Sequence, residues 1–117
     1  MNKETDLHNR ILVALSKEHH PNGIFWRQNA GRVRTDRGLF VSLGPDGISD
    51  IVGVAYGLAV FFEVKAEDGR QRKSQKAFQA TVEKAGGLYG LVRSPEEALA
   101  KLTEGLRARG LLPSTHA

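Results

Sequence analysis

The stretch that decides the fold is DIVGVAYGLAVFFEVK, residues 50–65. Two apolar runs flank Gly57, which predicts a hairpin of two adjacent strands. Three charged residues nevertheless lie at the ends of these runs: Asp50 begins the first, and Glu63 and Lys65 end the second. Charged groups are costly within a sheet unless they are paired or bind a cation. Their position therefore points to a functional site.

Strand alternation predicts that the three charges meet. Glu63 and Lys65 lie two residues apart, so their side chains point to the same face, and a turn near Gly57 brings Asp50 to the same edge. Because Mg²⁺ prefers oxygen ligands, Asp50 and Glu63 are candidate ligands, with the Val64 carbonyl as a candidate third. Lys65 can orient or polarise a water, and a bound metal lowers the pKa of water and stabilises charge on phosphate. The set predicts hydrolysis of a phosphodiester.

The alternative is that Glu63 and Lys65 lie on the solvent face of an amphipathic strand. The triplet Glu-x-Lys is common and by itself has little specificity. The preceding run LAVFF, residues 58–62, is apolar at every position. Such a run indicates a strand buried on both faces, where charges are less often incidental.

The rest of the chain predicts an α/β domain. Residues 3–19 and 74–85 have helical apolar spacing, and Ser94, Pro95 and Glu97 form a helix start with a capping box. Gly86 and Gly87 end the second helix. Strands are predicted at residues 24–29 and 88–92, a short one at residues 39–43 within a loop of residues 30–47, and a last helix ending at Gly110. The order is a helix, three or four strands, a helix, a strand and a helix (α-β-β-β-α-β-α with three), which predicts a mixed β-sheet flanked by helices. We expect one domain over residues 1–110 and a flexible tail over residues 111–117.

Two polar residues continue apolar helix stripes toward this sheet. Glu4 lies three residues before Leu7, and Gln75 lies three residues before Phe78. Both are candidates to join the site. The alternative is that they are ordinary helix-start residues, since Glu is favoured in first turns by the helix dipole.

Taken together, these motifs resemble the VRR-NUC family of the PD-(D/E)xK nuclease superfamily. The resemblance rests on Glu4, GISD at residues 47–50, EVK at residues 63–65 and Gln75 within SQKAF. WRQNAG before the motif and AGGLYGLVRSPEEAL after it also agree. Ile48 and Ser49 precede Asp50 where the superfamily has a proline. The resemblance extends from Glu4 to about Leu102, and is to the short stand-alone bacterial or phage type.

The resemblance implies a restriction-endonuclease-like core and metal-dependent hydrolysis of DNA. Asp50 and Glu63 would bind Mg²⁺ or Mn²⁺, Lys65 would place the attacking water, Glu4 would assist through the metal's water shell, and Gln75 would support Lys65 or the phosphate. Similarity to homodimeric Holliday-junction resolvases implies a homodimer that cuts four-way junctions. Nicking, flap cleavage and restriction remain alternatives, as does a non-catalytic nucleic-acid-binding module.

Two basic clusters flank the motif and predict contact with DNA phosphates. They comprise Arg27, Asn29, Arg32, Arg34 and Arg37 before it, and Arg70, Arg72, Lys73 and Lys76 after it. The alternative is that they are solvated loops.

Composition limits the possible structure and location of the protein less closely than these motifs do. The 117 residues have a formal charge of +4 and no cysteine, which excludes disulfides and thiolate zinc sites. No apolar stretch reaches membrane-span length and no secretory signal is visible, so we expect a cytoplasmic protein of a bacterial or phage-infected cell. Three of the four histidines, His8, His19 and His20, are expected at the surface, and Phe25 and Trp26 in the core.

Overall fold

A computed structural model describes residues 3–28, 32–42 and 44–112 of the chain. The elements in chain order are α1 (Lys3–Glu18), β1 (Gly23–Arg27), β2 (Arg32–Arg34), β3 (Phe40–Ser42), β4 (Ile51–Ala55), β5 (Leu58–Val64), α2 (Lys73–Lys84), β6 (Leu88–Val92) and α3 (Pro95–Ala108). Within these described ranges, no helix is long and apolar enough to cross a membrane.

The main sheet has four strands in the order β1-β4-β5-β6. The pairs β1–β4 and β4–β5 are antiparallel, and β5–β6 is parallel. The sheet is therefore mixed, and helices flank it, as the sequence predicted. The parallel pair needs a crossover connection, which α2 provides between β5 and β6.

The predicted hairpin of β4 and β5 is confirmed, with Ala55 opposite Leu58. Both residues of the two-residue turn have positive φ, 52° at Tyr56 and 81° at Gly57. A tight hairpin turn of this kind favours glycine. The turn fixes the register in which Ile51 lies opposite Phe62.

Alternate residues of β5 face two different layers. Leu58, Val60, Phe62 and Val64 belong to the main core, which also contains residues of α1 and α3. Phe61 points to the other face, where its ring packs edge-on against Phe78 of α2 at 5.4 Å between centroids. Glu63 and Lys65 follow Phe61 at two-residue intervals and so lie on the α2 side.

The helix starts largely follow the sequence signals. Ser94 accepts a hydrogen bond from the Glu97 N–H at 3.0 Å, with Pro95 in the first turn. The Glu97 carboxylate accepts from the Arg93 N–H at 3.1 Å. The reciprocal bond of the predicted capping box is therefore displaced by one residue, from Ser94 to Arg93.

One feature departs from the predicted order. Five strands precede α2 rather than three or four, because β2 adds a strand that pairs with β3 in a separate two-stranded sheet. The predicted strand at residues 39–43 corresponds to β3, but its partner is β2. The three-residue segment Arg-Val-Arg was missed because it is too short and too charged to show a strand pattern.

Several predicted side-chain environments were wrong. His8 is 2% exposed and His19 is 9% exposed, whereas His20 is exposed as expected. Phe25 is buried, but Trp26 is 43% exposed, because adjacent strand residues point to opposite faces.

The predicted tail begins with residues that remain attached to the domain. The Leu111 N–H donates to the Leu106 carbonyl at 2.9 Å, and Leu112 packs partly buried against the core. Residues 113–117 of that predicted tail lie outside the described residues.

Candidate active site

The predicted edge of the sheet brings Asp50 next to the end of β5. Asp50 directly precedes Ile51, whose partner is Phe62, so the continued register places Asp50 opposite Glu63. The Asp50 Oδ2 accepts a hydrogen bond from the Val64 N–H at 2.9 Å. In a strand, the N–H and C=O of one residue point to the same side, so the Val64 carbonyl faces the same edge.

Glu63 is the most deeply buried charged group of the site, at 3% exposure. Its Oε2 accepts from the Gln75 amide at 2.7 Å and lies 3.3 Å from the Lys65 Nζ. Its Oε1 is buried without a hydrogen-bond partner. Buried carboxylate oxygens are normally satisfied, so this oxygen, which no protein group contacts by a hydrogen bond, is the strongest indication of a ligand site.

Burial and neighbouring charge raise the pKa of Glu63 from 4.5 to about 7. Burial is the larger cause, because it disfavours the charged carboxylate, and the negative charge of Asp50 adds to it. The Lys65 ammonium lowers the pKa but does not compensate. A cation between the two carboxylates would favour ionised Glu63.

Gln75 is held by both ends of its amide. Its Oε1 accepts from the Arg72 N–H at the start of α2, at 2.8 Å. Since a backbone N–H only donates, the oxygen must face Arg72 and the NH₂ must face Glu63. Gln75 therefore couples the start of α2 to Glu63, whereas the resemblance implied support of Lys65 or the phosphate.

Gly47 lets the loop before Asp50 approach α2 closely. It has a φ of +75°, and a Cβ there would lie 2.2 Å from the Ser74 carbonyl oxygen. Any other residue would have to push the loop from α2. The glycine of the GISD motif thus positions Asp50 near the helix that carries Gln75.

His8 is a residue of the site that the sequence prediction missed. Its Nδ1 donates to the Glu4 carbonyl at 2.6 Å, and its Nε2 lies 3.4 Å from the Asp50 Oδ2. With Ile11 and Leu15 it forms the buried stripe of α1. The i, i+3, i+7 spacing of these residues is the signal for His8 in the sequence, but the more apolar Leu7 fits an i, i+4, i+8 stripe with the same two residues.

Two further buried residues near the site, Tyr89 and Ser49, are also polar. The Tyr89 hydroxyl accepts from the Gln71 amide at 3.0 Å, and burial raises the Tyr89 pKa, with the charges of Glu63 and Asp50 adding to the effect. The Ser49 hydroxyl is fully buried without a hydrogen-bond partner. Of the three such buried atoms in the described ranges, two belong to Ser49 and Glu63 and so lie beside Asp50 or within the site.

Glu4 lies farther from the centre than predicted. Its side chain is exposed, and it lines a shallow cleft of about 290 Å³ together with Ala66 and Arg93. The cleft connects the start of α1 with the segment directly after Lys65. The Glu4 side chain thus lies beside the segment that follows Lys65, while its backbone carbonyl accepts a hydrogen bond from His8.

The predicted DNA-contacting cations lie at the surface. Those with described side chains are all exposed: Arg27, Arg34, Arg37, Arg70, Arg72 and Lys73. Asn29 and the Arg32 side chain lie outside the described residues. Arg70 and Lys76 line a polar cleft of about 610 Å³ that begins two residues after Lys65, where Glu67 and Asp68 also lie.

The donor set fits a divalent cation held mainly by two carboxylates. Across residues 3–28, 32–42 and 44–112, no three His, Asp or Glu side chains are grouped as metal ligands. Asp50 and Glu63 could hold Mg²⁺ or Mn²⁺ only together with backbone oxygen or water, and Mg²⁺ usually keeps several waters. The Val64 carbonyl is positioned at the same edge.

Comparison of the chain with models of known protein families finds no match, and neither does comparison with curated proteins. Inferences about function therefore rest on the residues and on their arrangement.

Proposed function

We propose that the protein is a divalent-metal-dependent DNA endonuclease with a restriction-endonuclease-like core of the VRR-NUC type. One observation carries this proposal. Glu63 is 3% exposed and has one unpartnered oxygen, yet it lies beside a second carboxylate, Asp50, and an ammonium, Lys65. An arrangement that raises the pKa of a carboxylate at a sheet edge is typical of functional sites.

The residues at this edge would have two roles, metal binding and contact with water or phosphate. Asp50, Glu63 and the Val64 carbonyl would hold Mg²⁺ or Mn²⁺. When bound, such a cation supplies a water of lowered pKa and stabilises negative charge on phosphate. Lys65, 15% exposed, is accessible enough to hold a water or a phosphate oxygen.

Two further residues would support the site. Gln75 would keep Glu63 oriented through the amide contact described above. Glu4 would interact with the water shell.

The substrate would be DNA. The exposed cations around Arg27 and Arg70 suit a polyanion, since phosphate contacts give affinity without sequence readout. We place the activity in the cytoplasm of a bacterial or phage-infected cell, as for the proteins that the chain resembles.

Among DNA substrates, we propose branched molecules, particularly four-way junctions cut by a homodimer. Paired cuts by a C₂ dimer match the approximate two-fold symmetry of a junction. The chain offers an apolar surface for a second copy: Ile24, Trp26 and Val54 are exposed on the face of β1 and β4. Ile24 pairs with Val54 across the strands, and the three form one patch.

Two alternatives differ in their predictions. Nicking, flap cleavage or restriction would use the same site on other DNA shapes. A non-catalytic nucleic-acid-binding module would need the basic surface alone. The buried Glu63 argues against that module, because DNA binding does not require a carboxylate beneath the surface.

A cleavage panel tests the proposal. Purified protein is incubated with Mg²⁺ or Mn²⁺ and labelled junction, flap, single-stranded and duplex DNA of matched length. We expect symmetric cuts in the junction, lost in Asp50→Asn and kept in the exposed control Glu104→Gln. Absence of cleavage of every DNA with either metal would refute the nuclease function. Equal cleavage of junction and duplex by a monomer would refute the junction preference.

A further inference from the structure

The strands β2 and β3 form a small ribbon with three exposed apolar residues, Leu39, Phe40 and Val41. Val33 lies opposite Val41 and Arg34 opposite Phe40, and neither strand joins the main sheet. Leu39 and Phe40 are each 65% exposed, and Val41 is 49% exposed. A lone two-stranded hairpin is only marginally stable in water. Three consecutive exposed apolar residues on such a ribbon indicate that a partner covers them.

The turn at the tip of the ribbon is nevertheless well formed. The Thr35 N–H donates to the Leu39 carbonyl at 2.7 Å, and the Leu39 N–H donates to the Thr35 hydroxyl at 3.1 Å. Gly38, with a φ of 81°, donates to the Thr35 carbonyl at 2.9 Å. The tip thus holds Leu39 and Phe40 in a defined position at the surface.

The charges beside the apolar residues identify the class of partner. The ribbon carries Arg32, Arg34 and Arg37 against Asp36, a formal charge of 3 − 1 = +2. The Arg34 guanidinium lies over the Phe40 ring, 6.0 Å from its centroid. An exposed aromatic ring with an arginine over its face, next to two aliphatic side chains, suits a partner with anionic groups beside flat faces. Single-stranded or unpaired nucleic acid has that chemistry, because its bases stack on aromatic side chains and its phosphates meet cations.

Gln28, the last described residue before the ribbon, lies at the candidate active site. The Gln28 N–H donates to the carbonyl of Asp50 at 2.7 Å. Arg32 follows four residues later, so an extended chain places it within about 14 Å of Gln28. A base held by the ribbon would therefore belong to the same DNA molecule as the phosphate at Asp50.

We propose that the β2–β3 ribbon stacks Phe40 and Leu39 on unpaired bases at a branch or strand end in DNA. Arg34 and Arg37 contact the flanking phosphates. This inference rests on the proposed function for its substrate, and it assigns recognition of unpaired bases to the ribbon rather than to the basic surface in general.

DNA binding in EDTA tests the ribbon without cleavage. Fluorescence anisotropy gives the affinities of the full chain for a four-way junction with unpaired bases at its centre and for a duplex of equal length. Phe40→Ala should lower junction affinity by roughly 5- to 100-fold, as for loss of one stacked base. Duplex affinity should change less than twofold. Phe40→Trp should retain junction binding, because a larger ring still stacks.

Two further variants separate stacking from charge. Arg37→Ala should weaken binding to both DNAs and lower the slope of log affinity against log salt by about 1. Val13→Ala, a change at an exposed apolar residue of α1, should alter neither affinity. Circular dichroism of each variant checks that the fold is retained.

Three results would overturn the inference. If Phe40→Ala leaves the ratio of junction to duplex affinity unchanged while wild-type protein cuts DNA, the ribbon role is wrong and the nuclease function stands. If that ratio is unchanged and Phe40→Ala instead alters the oligomeric state, the ribbon binds protein. If wild-type protein neither binds nor cuts any DNA, both proposals fail together.

Discussion

Replacement of Glu63 by Gln should stabilise the metal-free protein at alkaline pH while it removes the proposed metal site. Glutamine is nearly isosteric and can still accept from the Gln75 amide through its own carbonyl oxygen. It carries no charge, so it removes both the burial of an anion and the repulsion from Asp50. These two effects are the ones that raise the pKa of Glu63 to about 7.

The size of the effect follows from the pKa. The folded protein holds the Glu63 proton up to about pH 7, whereas the unfolded chain loses it near the ordinary value of 4.5. Because the unfolded state binds fewer protons in this interval, the free energy of unfolding falls as the pH rises. The difference between a pKa of 4.5 in the unfolded chain and about 7 in the folded protein corresponds to a loss of about 3 kcal/mol in the free energy of unfolding. Glu63→Gln does not undergo this loss. Its gain in unfolding free energy over the wild type should therefore be absent near pH 4 and complete near pH 8.

Urea unfolding in EDTA between pH 4 and pH 8.5 measures this difference. The control Glu104→Gln changes an exposed carboxylate of α3 and should track the wild type at every pH. Added Mg²⁺ should stabilise wild-type protein at pH 8 and leave Glu63→Gln unchanged, since a ligand that binds only the folded state raises its stability. The reasoning is refuted if Glu63→Gln is less stable than wild type at pH 8, or if their difference does not vary with pH.

Three further changes have distinct expected results. Lys65→Ala should lower the single-turnover cleavage rate at saturating DNA by roughly 10²-fold or more. If the variant loses only DNA affinity, Lys65 is a phosphate contact and has no role in the chemical step. Gln75→Leu removes the amide that donates to Glu63 and should lower the free energy of unfolding in urea by about 1–3 kcal/mol. An unchanged free energy of unfolding would contradict the coupling of α2 to the site. His8→Leu should weaken Mg²⁺ or Mn²⁺ binding in calorimetry, and His8→Gln should partly restore it, because Gln keeps a polar group beside Asp50. Equal affinities in both variants would mean that His8 only fills space.

Much of the architecture was predictable because local signals agreed with the tertiary fold. The β4–β5 hairpin was evident from two apolar runs around Gly57, and its register brought Asp50 opposite Glu63. The alternation of β5 correctly predicts that Glu63 and Lys65 lie on one face, where the Lys65 Nζ is 3.3 Å from the Glu63 Oε2. Gln75 was found because it extends an apolar helix stripe.

The remainder depended on contacts that a single sequence does not contain. His8 is polar enough to resemble a surface residue, and its contacts with the Glu4 carbonyl and with Asp50 make its burial favourable. Trp26 is strongly apolar, yet the alternation of β1 puts Phe25 inside and Trp26 outside. The β2–β3 ribbon lacks both length and apolar periodicity, and its pairing is set by the five-residue turn between Arg34 and Phe40.

Cleavage of one labelled four-way junction during a Mg²⁺ titration tests the metal-dependent nuclease site most directly. Wild-type protein should cut with a rate that rises with Mg²⁺ and falls to background in EDTA. Glu63→Gln should bind the junction and leave it intact at every Mg²⁺ concentration. Cleavage in EDTA at the Mg²⁺ rate, or cleavage by Glu63→Gln at the wild-type rate, would contradict a catalytic cation site at Asp50 and Glu63.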